Sequence, residues 1–531
     1  MDTEHVDAPI SLDTLRGEAF STSRWVTAFL ILGIAVRLSR YLLRFPLWGD
    51  EMSLAANFIH TSFLALTRPL QNKQAAPIPF LWLERLSILG FGFNEYSLRL
   101  VAILSGVASM ALYTRVARRI LAGPALVFAV GVFAVAYFPI RCSAETKPYG
   151  SDLLVSLALV ALAVEWHREP SQTRWLWFLA IAAPPALAMS FPSIFTVGAI
   201  SCSFVSPIWR SRHRGAMVAF LAFNISIALS FILLQHFVLK SQYAGVHDAM
   251  ENGWSATFPP VSHPLALVGW LVDAFTGEML AYPIGGRHGG STHALIALVI
   301  GLIVFWRKDR RWFVTLTFAM FLLGFLAAAA RRYPMTGHPR FTQYLAPIVC
   351  MAIGAGIAQA IAWLRQPEWQ RRILRCAVYV LFAIGVGCFA QDLIQPYKGL
   401  AEEIDRGFAR WFWSEHPEMQ DVCVFVEMHR QIYDGPQNPS YLCYRAMYER
   451  RSKLTGADAH AIRASTIKPV RCVIFHMLDA TRREDEFAAW MAEMTSEYDL
   501  TGHASYRVPI HYGKPDEIGF YEAYYFTPRN P

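Results

Sequence analysis

The sequence predicts a polytopic α-helical membrane protein with a small α/β domain at its C-terminal end. Three observations carry this. The chain has 531 residues, 54% hydrophobic and only 17% charged, which sets it apart from an ordinary soluble enzyme. Apolar runs of membrane-spanning length repeat over its first three quarters. Its basic residues gather in the short loops between those runs, as expected of loops facing anionic cytoplasmic lipid. The net charge of +8 therefore speaks of membrane orientation. Nucleic acid is excluded as a partner, because zinc-finger spacing, a basic recognition helix and aromatic RNA-binding motifs are all missing from the sequence.

Residues 1–19 are polar and read as a cytoplasmic tail, with no cleavable signal peptide evident. The first span runs from about Phe20 to Leu43. It carries Arg37, Arg40 and Arg44 at its far end, where snorkelling to the headgroups is favoured over anion binding. Five basic clusters then fix orientation. They are Arg115 to Arg119, His167 to Arg174, Arg210 to Arg214, Arg307 to Arg311, and Arg365 with Arg371, Arg372 and Arg375. With all five in the cytoplasm, spans fall near 98–114, 121–138, 149–165, 175–190, 193–209 and 216–238. Four more fall near 292–306, 312–330, 341–364 and 373–391. That makes roughly eleven crossings, N-terminus inside and C-terminus outside.

Runs near 77–91 and 263–282 are short or broken by proline and polar residues. They read as interfacial or re-entrant helices; counting both gives about thirteen crossings and leaves the C-terminus on the same side. The membrane part covers 20–395, with outer loops at 45–97, 139–149, 240–290 and 331–340.

Residues 396–531 are long enough for a small domain. Val422 to Val426 and Pro469 to Phe475 read as buried strands, Glu484 to Glu493 has helical spacing, and Ser505 to Phe526 reads as aromatic-rich strands and a turn. No catalytic motif occurs there, so a cap over the outer loops is the expected role. Of the eight cysteines, Cys142, Cys202, Cys350, Cys376 and Cys388 lie in or beside apolar runs as packing residues. Cys423, Cys443 and Cys472 permit at most one internal disulfide.

The polar residues least like loop filler share the outer face. Asp50 and Glu51 follow the first span in Leu47-Trp48-Gly49-Asp50-Glu51, where carboxylates are costly unless solvated, paired or used. They either start a helix, which suits its dipole, or supply a catalytic base. Arg141 to Tyr149 and Arg331 to Arg340 lie on the same side. Arg287 and His288, between glycine pairs, read as a flexible linker, and Arg99 as an anchor at the head of its span. His263, His288, His293 and His338 match no metal motif, so no metal site is assigned.

An ordered set of motifs resembles the GT-C glycosyltransferases, in particular the bacterial family 39 type related to protein O-mannosyltransferases and lipid A aminoarabinose transferase. The stretches are Leu47 to Glu51, Gln74 to Leu81, Asn94 to Leu100, Ser143 to Tyr149, and Arg340 to Pro347 after Tyr333-Pro334. They cover the membrane part, about residues 20–390. The resemblance implies inverting transfer of a sugar from a polyprenyl-phosphate donor to an acceptor hydroxyl at the periplasmic face of a bacterial inner membrane. By position it makes Asp50 the catalytic base and Glu51 its companion. Lys73 lies near where the aminoarabinose enzymes place a phosphate-binding lysine, with Gln74-Ala75-Ala76 before Pro77. Glu145 matches an acidic residue of the second outer loop. Substrate or phosphate binding falls to Lys73, Gln74, Glu145, Lys147, Tyr149, Tyr333, His338 and Arg340.

The chemistry agrees without the family. A sugar hydroxyl needs a carboxylate to take its proton, and a lipid-phosphate leaving group needs Arg or Lys to meet its charge. No cofactor is firmly implied; a divalent ion between Asp50 and Glu145 stays open. The expected partners are a polyprenyl-phosphate-linked sugar, a lipid, glycan or protein acceptor, and membrane lipid. The rival readings are a transporter or flippase of lipid-linked sugars, disfavoured by the lack of internal repeats, and a glycan ligase or polymerase.

Overall fold

The computed structural model describes residues 21–59, 61–244, 246, 253–285, 290–412, 423–427, 439–448, 472–477, 484–507 and 520–529. The N-terminal tail and the Arg287-His288 segment lie outside them. Among the described residues, eight helices are long and apolar enough to cross a membrane. Three of them follow one another early in the chain: α1 (Thr22–Leu42), α4 (Leu100–Ile120) and α7 (Tyr149–Arg168), with α2 (Gly49–Ala55) and α3 (Ile78–Phe91) after α1 and α5 (Gly123–Ala134) and α6 (Tyr137–Cys142) after α4. The chain continues through α8 (Arg174–Met189), α9 (Ser193–Ser211) and α10 (Arg214–Leu234), the last extended by a π-helical turn into α11 (Lys240–Ala244). Then come α12 (Pro264–Thr276), α13 (Gly290–Arg307), α14 (Arg311–Ala329), α15 (Ala346–Ala362) and α16 (Pro367–Ile394). Each expected span is thus occupied by a helix, although α5, α8 and α9 fall outside the eight. The two broken runs form α3 and α12, of 14 and 13 residues, short for a bilayer.

Local signals set the ends. Ser21 caps α1 by accepting from the Arg24 amide, and His213 caps α10 through the Ala216 amide. Prolines open α3, and Gly92 closes it at φ +79°, where a side chain would strain.

The bundle is centred on α5, whose residues Pro124 to Ala134 are all buried, and on α15, which packs across it. Glycines permit this. A Cβ on Gly356 would run into the Ala297 carbonyl of α13, and one on Gly354 into the Ala129 backbone of α5. Arg37 corrects the snorkelling expectation. Its guanidinium turns inward to the carbonyls of Gly33 (2.8 Å), Ala134 (3.2 Å) and Phe133 (3.3 Å). Arg40 pairs with Asp392 at the end of α16, and Arg44 with Glu95 at 2.8 Å. Carbonyls and carboxylates in reach outcompete a longer path to the headgroups.

Beyond α16 come two helices that the sequence did not announce, α17 (Leu400–Arg410) and α18 (Pro439–Tyr448), and then α19 (Glu484–Glu497). Strands β1 (Cys423–Glu427), β2 (Cys472–Met477), β3 (Tyr498–Arg507) and β4 (Phe520–Pro528) form one sheet in the order β1-β2-β4-β3. The first pair is parallel, with Cys423 opposite Cys472, and the other pairs are antiparallel. Cys443 is a buried free thiol whose Sγ donates to the Met52 carbonyl at 3.5 Å, so it takes no part in a disulfide. Ile404, Phe408 and Phe412, four residues apart, join Met52, Leu54 and Phe58 in one apolar cluster. The C-terminal helices thereby press on α2.

Candidate active site

Asp50 sits in the first turn of α2, beside a cavity of about 200 Å³. Its Oδ1 accepts from Lys147 Nζ at 2.9 Å and its Oδ2 from Arg340 Nη1 at 3.0 Å. The two cations arrive from segments distant in sequence. Lys147 lies in the turn before α7, and Arg340 opens a 3-10 turn, Pro339–Leu345, that leads into α15. Lys147 Nζ also donates to Gln74 Oε1 at 2.6 Å, which ties the loop before α3 to the same centre. Burial by itself would raise the Asp50 carboxyl, but Lys147 and Arg340 outweigh it and hold the group below the usual carboxylate range. Burial likewise lowers Lys147, against the opposing pull of Asp50.

Aromatic rings fix Arg340. Its guanidinium carbon lies 4.6 Å from the Trp254 ring centroid, 5.0 Å from Phe341, 5.6 Å from Trp48 and 5.9 Å from Tyr149. Tyr333 lines the same cavity and donates its hydroxyl to the Phe341 carbonyl at 3.0 Å. Lys73 also lines it, exposed and without an ion pair among the described residues. All four segments expected on the outer face therefore contribute to one cavity: Asp50, Lys147, Trp254 and Arg340 each come from a different one.

Three expected site residues do not line it. Glu51, expected as the companion of Asp50, is 1% exposed and turned away. Its carboxylate accepts from Arg99 Nε (3.0 Å), Arg99 Nη2 (2.7 Å) and the Thr146 amide (2.7 Å). Arg99 itself binds the Phe45 and Pro46 carbonyls. Glu51 is thus a buried bracket joining α2, the head of α4 and the Lys147 turn, because those donors leave its oxygens no free face. Glu145 is occupied by Arg141 at 2.6 Å. His338 accepts from the Arg340 amide at 3.2 Å and packs edge-on to Phe138. Burial and the neighbouring Arg340 push it down to about 3, so it is neutral at physiological pH.

Residues that the sequence reading missed complete the wall. Asp152, one turn into α7, lines the cavity beside Tyr149, and Phe191 and Pro192 come from the turn between α8 and α9. Asp152 was legible as an acid inside an apolar run; Trp254 and Phe191 gave no local signal. Lys398, just after α16, stacks over Trp48 with Nζ 2.8 Å from the ring centroid. Burial, with Arg141 nearby, lowers it to about 8. Among the described residues no group of three His, Cys, Asp or Glu comes together as a metal site.

A bundle of long apolar helices with an acid–base cluster at the mouth of one cavity defines a polytopic membrane protein, and the arrangement of its helices is the GT-C fold. The chain superposes on ArnT from Cupriavidus metallidurans bound to undecaprenyl phosphate with a TM-score of 0.52, at 12% identity over 95% of this chain and 98% of that one. Apo ArnT from the same organism gives 0.50 at 12% identity, covering 94% and 98%. The Archaeoglobus fulgidus oligosaccharyltransferase, in a complex with Zn and sulfate, gives 0.51 at 10% identity, covering 93% of this chain and 72% of that one. No family model matches the sequence. No curated protein sequence matches it either.

Proposed function

We propose that this protein is a membrane glycosyltransferase that moves a sugar from a polyprenyl-phosphate carrier to an acceptor hydroxyl with inversion. The observation that carries the reading is Asp50, an ionised carboxylate braced between Lys147 and Arg340 on the wall of a cavity at the end of a membrane bundle. In this reading Asp50 takes the acceptor's hydroxyl proton as the oxygen attacks the anomeric carbon. The bond from that carbon to the phosphate oxygen breaks, and the lipid phosphate leaves with its electron pair. Arg340 and Lys73 meet its charge, Arg340 through a planar fork suited to phosphate. An arriving phosphate also competes with Asp50 for Arg340 and Lys147, which restores basicity to the carboxylate when substrate is present.

The fold shared with a protein solved with undecaprenyl phosphate supports a lipid-linked donor. The cavity belongs to the periplasmic side of a bacterial inner membrane, with the N-terminus in the cytoplasm and the C-terminal domain, from about residue 396, outside; the basic loops support this orientation. The acceptor is a lipid, glycan or protein hydroxyl.

Purified protein given undecaprenyl-phosphate monosaccharides should release undecaprenyl phosphate. Asp50→Asn should lower turnover about 10²–10⁴-fold while lipid binding persists. Undiminished transfer by a folded Asp50→Asn protein would remove the assignment, and sugar movement without cleavage would favour a transporter.

A further inference from the structure

The cavity carries two carboxylates with opposite circumstances. Asp50 is held by two cations, whereas Asp152 has no ion pair among the described residues. Asp152 is 4% exposed, its Oδ1 is buried with no hydrogen-bond partner, the Ser190 side chain stands beside its carboxyl, and the residue nevertheless forms part of the cavity wall. Leaving a polar atom buried and unpaired costs free energy, which a hydrogen-bonding group brought to this wall of the cavity would offset.

Charge identifies what that group is. A phosphate is drawn to Lys73, Lys147 and Arg340, which offer it a better place on the same cavity. A neutral sugar fits. Tyr149, three residues before Asp152, stands on the same face of α7, and both line the cavity with Phe191. Aromatic faces beside a buried carboxyl group suit a saccharide, whose ring C–H faces pack on π-systems and whose hydroxyls hydrogen-bond to it.

Resting on the glycosyltransferase reading, we propose that Asp152 binds the donor's sugar by accepting hydrogen bonds from its ring hydroxyls, and so helps to set which sugar is transferred. Asp152 discriminates because a sugar with no hydroxyl in reach leaves the carboxylate buried and unsatisfied.

The test measures binding of two probes to the full-length protein in detergent: bare undecaprenyl phosphate, and undecaprenyl phosphate carrying glucose, mannose, N-acetylglucosamine, arabinose or aminoarabinose. Wild-type protein should bind at least one sugar-bearing lipid more tightly than the bare one. Asp152→Ala should reduce that gain about tenfold or more and leave bare-lipid affinity unchanged. Should Asp152→Ala fail to fold, Asp152→Asn, which keeps the shape and one acceptor oxygen, should still lose part of the gain. Equal loss for both probes, no loss for either, or no sugar-dependent gain in the wild type would overturn the assignment to Asp152 while the lipid-phosphate site stands. A wild-type protein that binds none of these lipids would overturn the glycosyltransferase reading itself, and Asp152's role with it.

Discussion

At the scale of single residues, neighbouring acids have opposite fates. Asp50 faces the cavity, while Glu51 is closed into a pair with Arg99 whose side chains are 1% and 3% exposed. Removing one partner of such a pair leaves a buried charge uncompensated, at a cost of about 3–5 kcal/mol. Arg99→Met should therefore lower the unfolding temperature in detergent sharply, and the double variant with Glu51→Met should recover much of the loss. Asp50 answers to pH. Its carboxyl is held below the ordinary range, so it stays ionised down to acidic pH, and the stability its pairs supply is lost only as pH falls through the depressed value. Lys147→Met takes away one cation and leaves burial's upward push. The acid limb of the kcat–pH profile should move to higher pH in that variant; a limb that stays in place would mean the profile reports another group.

At the scale of elements, the helices are positioned by backbone proximity. Gly301 and Gly356 let α13 and α15 touch, with no room for a side chain on either. Gly356→Val should destabilise the bundle by about 1–3 kcal/mol through overpacking, read from thermal unfolding. A short helix such as α2 depends more on its neighbours, because seven residues are too few to hold themselves. Its inner face is covered by α18, through Cys443, and α17 packs on α18, Phe408 and the following Phe412 joining the same apolar cluster. Phe412→Ala should cost about 3–5 kcal/mol locally and, on the proposed function, lower kcat more than lipid affinity, since it loosens the support of Asp50 rather than Arg340 and Lys73. The C-terminal helices therefore support the segment that carries Asp50 and pack on the loop around it.

At the scale of the molecule, topology can be checked directly. In a variant without native cysteines, Lys73→Cys should react with a membrane-impermeant maleimide in intact cells, and Arg210→Cys only after permeabilisation. The reverse pattern would invert the bundle and place the cavity in the cytoplasm. Apolar run length and loop charge revealed the membrane helices, and the positions of Asp50, Lys147 and Arg340 were legible from polarity at span ends. The amphipathic spacing of Ile404, Phe408 and Phe412 could have announced α17, but in a polar tail it went unread. Arg37 could not have been read from the sequence, because its carbonyl partners on α5 lie about a hundred residues away.

What the sequence alone determined was which segments enter the membrane, which loops share a face, and which polar residues gather there. Hydropathy and charge act locally, so a linear reading captures them. The tertiary structure decided which acid lines the cavity and which braces the fold. Asp50 meets Lys147 across 97 residues and Arg340 across 290, and Glu51 meets Arg99 across 48. Adjacent carboxylates have the same local chemistry, and only the cations delivered to each by distant loops, and the solvent left beside it, set them apart.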